Sequence, residues 1–223
     1  MYAFFVIKEK SERVKNKNFK KFSNIFLYKK ALLNFKDFKV FVDTDSKKII
    51  NQVKKDKKLS HVHCYMREKK LIDMEKSLHS PGPFMIKNFL ENYVKGKNDI
   101  VVTSHVTNPF LKIKTLKKAI RKMKFFDSVS SCHKVKNFSY LDGRTAKPIN
   151  FNPKFQQKTQ NLKRIFVTNG AFFIIKKNIF LNNGLKRISN NNLFYYLDFP
   201  EYLEIDNYED LKLALLIEKH KIY

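Results

Sequence analysis

Short apolar runs recur along the chain, separated by stretches whose apolar positions return every three or four residues. "YAFFVI" (2–7), "FKVFVDTD" (38–45), "SHVHCYM" (60–66) and "DIVVTSH" (99–105) read as strands. Helical periodicity falls between and after them, in "NIFLYKKALLNF" (24–35), "SKKIINQVKK" (46–55), "PFMIKNFLENYVKG" (83–96) and "KTLKKAIRKMKFF" (114–126). In the last of these Leu116, Ile120 and Met123 share one face. This alternation predicts an α/β fold, a mixed, mostly parallel sheet with helices on both faces. Such sheets bind ligands beyond the carboxyl ends of their strands. The loops at 8–18, 43–46, 66–71 and 104–111 should therefore surround one crevice.

After about residue 135 the pattern changes. "KPINFNPKFQQKTQNLKR" (147–164) is polar, weakly periodic and too long for a simple connection. It marks an excursion, placed at about 136–164, that reads as a dimerisation arm or a lid. "IFVTNGAFFII" (165–175) reads as strand, turn, strand, and "YLEID" (202–206) as a further strand. A helix follows at 207–221, with Asn207 as its N-cap and Glu209 and Asp210 in its first turn. Neither an internal repeat nor a linker divides the chain, so residues 1–223 read as one domain.

Composition changes this picture little. An apolar fraction of 43% argues against disorder. No apolar run approaches the roughly 18 residues of a membrane span, and the start lacks the pattern of a signal peptide. Cys64 and Cys132 have neither metal-ligand nor redox spacing, which fits a reducing cytoplasm. The formal charge of +26 points toward polyanions. However, only six of the 46 basic residues are Arg, and the lysines are spread along the whole chain. Most of the charge reads as compositional, with nonspecific polyanion binding at low salt as its consequence and no specific nucleic acid as a partner.

Four segments carry candidate chemistry. Ser11, Arg13, Lys17 and Asn18 follow the first strand; such side chains suit a triphosphate, but in a chain so rich in lysine their spacing alone reads first as a solvated loop. Asp43 and Asp45 are two apart at the end of the second strand. They could hold Mg²⁺ as in a glycosyltransferase, or Asp45 could cap the next helix. "SHVTNPFL" (104–111) offers His105 as donor or base, while Thr107 and Asn108 before Pro109 also describe a turn. Glu204 and Asp206 are again two apart, an arrangement that suits a divalent cation or a solvated strand edge. His61 and His63 alternate with apolar residues and read as strand packing.

The order of these segments is more specific than any one of them. "SERVKNKN" (11–18) resembles the Ser-x-Arg-x-x-x-Lys-Asn run of the acylneuraminate (CMP-sialic acid) cytidylyltransferase family. "VFVDTDSKKI", "YMREKKL", "HVTNPFLK", "TQNLKRIFVTNGAFFI" and "EIDNYEDLKLA" are similar to its later segments, in the family's order, over roughly residues 3 to 215. The chain looks closest to a divergent subgroup with SERVxxKN and HVTNP-type segments. It departs from the family at Lys8, Glu9 and Lys10 in place of Arg-Gly-Gly, at Lys15 for Pro, at His105 for Gln and at Glu204 for Asp.

The resemblance implies a dimeric nucleotidyltransferase of nucleotide-diphospho-sugar transferase (Rossmann-like) architecture. It would activate a keto-sugar acid with CTP, giving a CMP-sugar and pyrophosphate with Mg²⁺ as cofactor. Ser11, Arg13, Lys17 and Asn18 would hold the phosphates, Asp45 would lie on the cytosine-ribose side, and Arg67 near the phosphates. His105, Thr107, Asn108, Gln160, Asn169 and Gly170 would form the sugar-acid side, with Gln160 on the arm. Glu204 and Asp206 would bind the metal, and Arg13, Lys17 and Asp206 would carry the catalysis.

Overall fold

A computed structural model of the chain describes residues 1–75, 80–155 and 157–223, and its elements alternate as the periodicity predicts. The first half holds β1 (Tyr2–Ile7), the hairpin β2 (Lys21–Phe22) and β3 (Ile25–Phe26), α1 (Leu27–Asn34), β4 (Lys39–Thr44) and α2 (Lys47–Lys55). It continues with β5 (Val62–Met66), α3 (Lys69–Met74), α4 (Gly82–Tyr93), β6 (Ile100–Thr103) and α5 (Ile113–Arg121). The second half holds β7 (Ser128–Val135), the hairpin β8 (Tyr140–Leu141) and β9 (Lys147–Pro148), β10 (Ile165–Lys176), α6 (Lys177–Asn182), β11 (Asn192–Tyr196) and α7 (Tyr208–His220).

Seven strands form one sheet in the order β11-β7-β10-β6-β1-β4-β5. All neighbours run parallel except β10, which is antiparallel to both β6 and β7. The period of two in β1 sorts its side chains between two helical layers. Ala3, Phe5 and Ile7 join the apolar cluster under α1, α2 and α5. Phe4 joins that under α3, α4 and α6 and stacks on Phe89 at 4.6 Å. Among the described residues no helix is long and apolar enough to cross a membrane.

A third, smaller cluster positions the site. Val14 from the loop after β1 meets Leu203, Ile205 and the α7 residues Leu211, Ala214 and Ile217. Val14 and Ile205 are both wholly buried, and each contributes about 1.5–3 kcal/mol by leaving water. Two segments 188 or more residues apart in the sequence are thereby held face to face. Asn207 caps α7, as the sequence predicts, and the structure adds a full capping box with Asp210.

Several expectations are corrected. Ser46, not Asp45, caps α2, its hydroxyl accepting from the Ile49 N–H at 3.3 Å. Residues 165–175 are not strand, turn, strand but part of one strand, β10. β7 pairs with both of its halves, so the chain does not reverse, and Asn169–Phe172 bulge opposite Ser131. Segment 202–206 lies outside the sheet. Its alternation is genuine, because Leu203 and Ile205 are buried, but they face α7 rather than a partner strand. The unforeseen strand β7 is rich in serine, and its buried hydroxyls are satisfied by Asn192 and Asn169 instead of by apolar packing. The other unforeseen strand, β11, pairs with it in parallel. In the excursion at 136–164 the β8–β9 hairpin stands apart from the main sheet, with Gln156 outside the described residues. His63 packs against Phe41 and Tyr93, as expected of a strand residue.

Candidate active site

The loop after β1 is folded by its own polar side chains. Asn18 donates to the Lys8 carbonyl at 2.7 Å, and Asp45 accepts from the Glu9 N–H at 2.7 Å. With Val14 anchored beneath, Arg13 and Lys17 are aimed at segment 204–206. Lys17 donates to the Ile205 carbonyl at 2.7 Å and lies 3.4 Å from Asp206 Oδ1. Arg13 reaches the same carboxylate oxygen at 3.0 Å. The Lys17 side chain is 13% exposed and that of Arg13 69%. The lysine is thus the desolvated charge of the pair and the arginine an exposed rim charge.

The opposite wall is the loop after β6. His105 Nδ1 lies 2.8 Å from Glu204 Oε1, and Thr107 donates to that same oxygen at 3.0 Å. Burial raises the Glu204 carboxyl, but the His105 contact, the Thr107 hydrogen bond and the Lys17 charge together bring it below its usual range. Gly170 is required beside this pair. Its φ is +64°, and an added Cβ would stand 2.4 Å from His105 Nδ1 and 2.9 Å from Glu204 Oε2. The β10 bulge therefore serves to bring bare backbone against the histidine, and the Gly170 carbonyl accepts from the His105 N–H at 3.1 Å.

These walls enclose a cavity of about 480 Å³ lined by Ser11, Arg13, Lys17, Asn18, His105, Thr107, Glu204 and Asp206, with Lys8 and Lys10 at its edge. Its cations suit an anion of several charges, and its size suits a small ligand. A second cavity of similar volume adjoins it, sharing Val6, Lys8 and His105. A larger one of about 610 Å³, walled mainly by α1 and residues 108–114, shares only His105 with the first.

Other expected site residues stand elsewhere. Arg67 does not line the first cavity. Its side chain is wholly buried, ion-paired to Asp43 and Glu75 at 2.5 Å each. Asp43 is turned to that arginine and does not form a metal pair with Asp45, whose contact is the Glu9 N–H. Burial pushes the Asp43 carboxyl above its usual range, the Arg67 hydrogen bond and charge opposing it. Asn108 and Asn169 are buried braces: Asn108 donates to the Asn169 and Leu203 carbonyls, and Asn169 Oδ1 accepts from Ser131. Gln160 is exposed beside a separate cavity with Lys134, Lys136 and Arg164. Sequence reasoning missed Lys8 and Lys10 as cavity residues, although both stand among the departures from the Arg-Gly-Gly run. It also missed Arg187, which lines the second cavity. Its one signal is that it is among the few arginines in a lysine-rich chain.

A family model described as cytidylyltransferase matches residues 9–212. No curated protein matches the sequence. Among solved structures the chain is similar to CMP:2-keto-3-deoxy-manno-octonic acid synthetase complexed with CTP, with a TM-score of 0.66, 10% identity and 98% of each chain covered. It is also similar to a 4-diphosphocytidyl-2C-methyl-D-erythritol synthase (TM-score 0.67, 8% identity, 97% of each chain). The 4-diphosphocytidyl-2C-methyl-D-erythritol synthase of Anaerococcus prevotii gives a TM-score of 0.65 at 9% identity, covering 98% of this chain and 96% of its own. At these identities the likeness is one of fold.

Proposed function

The chain belongs to the cytidylyltransferase family, a family of nucleotidyltransferases, and from that premise we propose that it activates a keto-sugar acid with CTP. The acid is of the sialic, other nonulosonic or octulosonic type, and the products are a CMP-sugar, for surface glycan synthesis, and pyrophosphate. The observation that carries this reading is the meeting of Arg13 and Lys17, from the first loop, with Asp206 in one cavity. The divergence of the chain from the acylneuraminate pattern at His105 and Glu204 leaves the acid's class as broad as stated.

The reaction joins the acid's anomeric hydroxyl oxygen to the α-phosphorus and breaks the bond from that phosphorus to the oxygen bridging to the β-phosphate. Pyrophosphate leaves with the bonding pair, and the hydroxyl proton is lost to water. Positioning and charge neutralisation supply most of the acceleration in such a transfer. Lys17 and Arg13 neutralise the departing pyrophosphate, and Ser11 and Asn18 orient the phosphates. His105, fixed by Glu204, stands between the two cavities where acceptor and nucleotide meet.

Mg²⁺ fits this site in part through protein and in part through substrate. Among the described residues no three His, Cys, Asp or Glu side chains group as a metal cluster. Glu204 and Asp206 offer two hard carboxylates, and Mg²⁺ commonly takes one or two of these with substrate phosphates completing its shell. When bound, the ion would polarise the α-phosphate and lower the hydroxyl's pKa.

The direct test is a nucleotide panel (CTP, UTP, GTP, ATP) run over several 3-deoxy-keto-sugar acids and a polyol phosphate, with pyrophosphate release as readout. Release with CTP that depends on the acid is expected. Release with the polyol phosphate in its place, or with no preference for CTP, would replace this reading.

The same reading includes a cytoplasmic homodimer built on the 136–164 excursion. In its support, Tyr140, Leu141 and Phe155 are each more than half exposed there, a larger apolar display than a lone hairpin needs. Sedimentation showing a monomer at micromolar concentration would remove the dimer.

A further inference from the structure

Arg187 follows α6, half-buried, with its guanidinium carbon 3.9 Å from the centroid of the Phe173 ring. Among the described residues no hydrogen bond or ion pair engages that guanidinium. Arg13 and Arg67, by contrast, are both paired to carboxylates. Stacking on the phenyl ring fixes the plane of the guanidinium and leaves its fork of N–H donors available at the edge.

Arg187 lines the second cavity, of about 480 Å³. The other charged groups of that cavity are committed. Lys8 is paired to Glu75 at 3.1 Å, and His105 to Glu204 at 2.8 Å. Phe4, Met85 and Ile86 supply an apolar wall. Burial lowers the Arg187 pKa, with the more distant Glu204 charge opposing, so the cation is partly desolvated and has no direct ion pair among the described residues. Such a group is costly until a carboxylate meets it.

The position suits an acceptor. The phosphate cavity and the Arg187 cavity share Val6, Lys8 and His105, so ligands in the two would meet over the ends of β1 and β6. Resting on the cytidylyltransferase reading above, we propose that Arg187 is the carboxylate clamp of the acceptor site. The sugar acid enters the second cavity, its carboxylate takes the guanidinium fork, and its hydroxyl faces the α-phosphate past His105. Arg187 thereby selects a sugar acid against a neutral sugar or polyol.

The experiment measures initial rates for wild type, Arg187→Ala and Arg187→Lys against CTP and against a keto-sugar acid, alongside its carboxamide analogue. Thermal unfolding checks that each variant is folded. Arg187→Ala is expected to raise KM for the acid about 10- to 100-fold, the range of a charged hydrogen-bonded pair, with KM for CTP within twofold. Arg187→Lys should recover part of that loss. Wild type should prefer the acid over the carboxamide, and Arg187→Ala should not. An unchanged KM for the acid in folded Arg187→Ala overturns the clamp while the transfer reading stands. Wild type that uses CTP but takes no acid, and cytidylylates a neutral alcohol instead, overturns both.

Discussion

Lys17→Ala is expected to lower kcat/KM for pyrophosphate release by about 10²–10³-fold, the loss seen when one preorganised donor to a developing charge is removed. The size of the effect follows from the lysine's setting. Its side chain is 13% exposed, its ammonium is held at 2.7 Å by the Ile205 carbonyl, and it lies within 3.4 Å of Asp206. A charge so desolvated and so fixed acts at low effective dielectric and needs no reorganisation during the reaction. Arg13, 69% exposed on the same carboxylate, should cost less when truncated. Asp206→Asn should lose activity comparably to Lys17→Ala, and the double variant should fall little further, because the two act as a unit. Circular dichroism of each variant should match wild type, since the Val14–Ile205 packing is untouched. Full activity in both single variants would separate this cavity from the chemistry.

Arg67→Ala is expected to lower the free energy of unfolding by about 3–5 kcal/mol, enough to unfold a marginal domain. The arginine and Asp43 are both wholly buried, and Glu75 is nearly so. Truncation leaves Asp43 without its cation and Glu75 with Lys8 alone, and Asp43 already has one buried oxygen with no partner. The loss should depend on pH with a defined sign. Burial raises the Asp43 carboxyl, and Arg67 provides the opposing hydrogen bond and charge. Removing Arg67 raises the carboxyl further, so the folded variant binds more protons than the unfolded chain above the unfolded value of 3.8. Its stability therefore falls as pH rises from that value through the raised folded one. Urea unfolding at pH 5 and pH 7.5 should show the smaller loss at the lower pH. A deficit under about 1 kcal/mol, equal at both pH values, would show that the triad is not the anchor described here.

The contrast between Arg67 and Lys17 bears on what a linear reading can find. Both were placed near phosphates by their motifs. Lys17 reaches the cavity, whereas Arg67 is buried outside its lining, neutralised by Asp43 and Glu75. Neither the arginine nor its neighbours in "YMREKKL" announce that pairing, because Asp43 approaches from the adjacent strand β4. The Asn169–Gly170 pair is ambiguous in the same way. A turn and a bulge both ask for glycine at positive φ, and only the continuation of β7 along both halves of β10 selects the bulge.

Local pattern by itself determined the parallel core of the sheet, most of its helices and the Asn207 cap, because burial on two faces demands continuous apolar strands and a 3.6-residue helical period. The resemblance of "SERVKNKN" and "EIDNYEDLKLA" to family segments is what marks both for the proposed nucleotide site. Only the tertiary structure decided which charges remain free to meet a ligand. It set Lys17 and Asp206 in one cavity, spent Arg67 on a buried triad, and left Arg187 with no direct ion pair among the described residues. The reason is that periodicity reports how a segment meets its own layer, whereas the state of a charge depends on desolvation and on partners brought from distant parts of the chain.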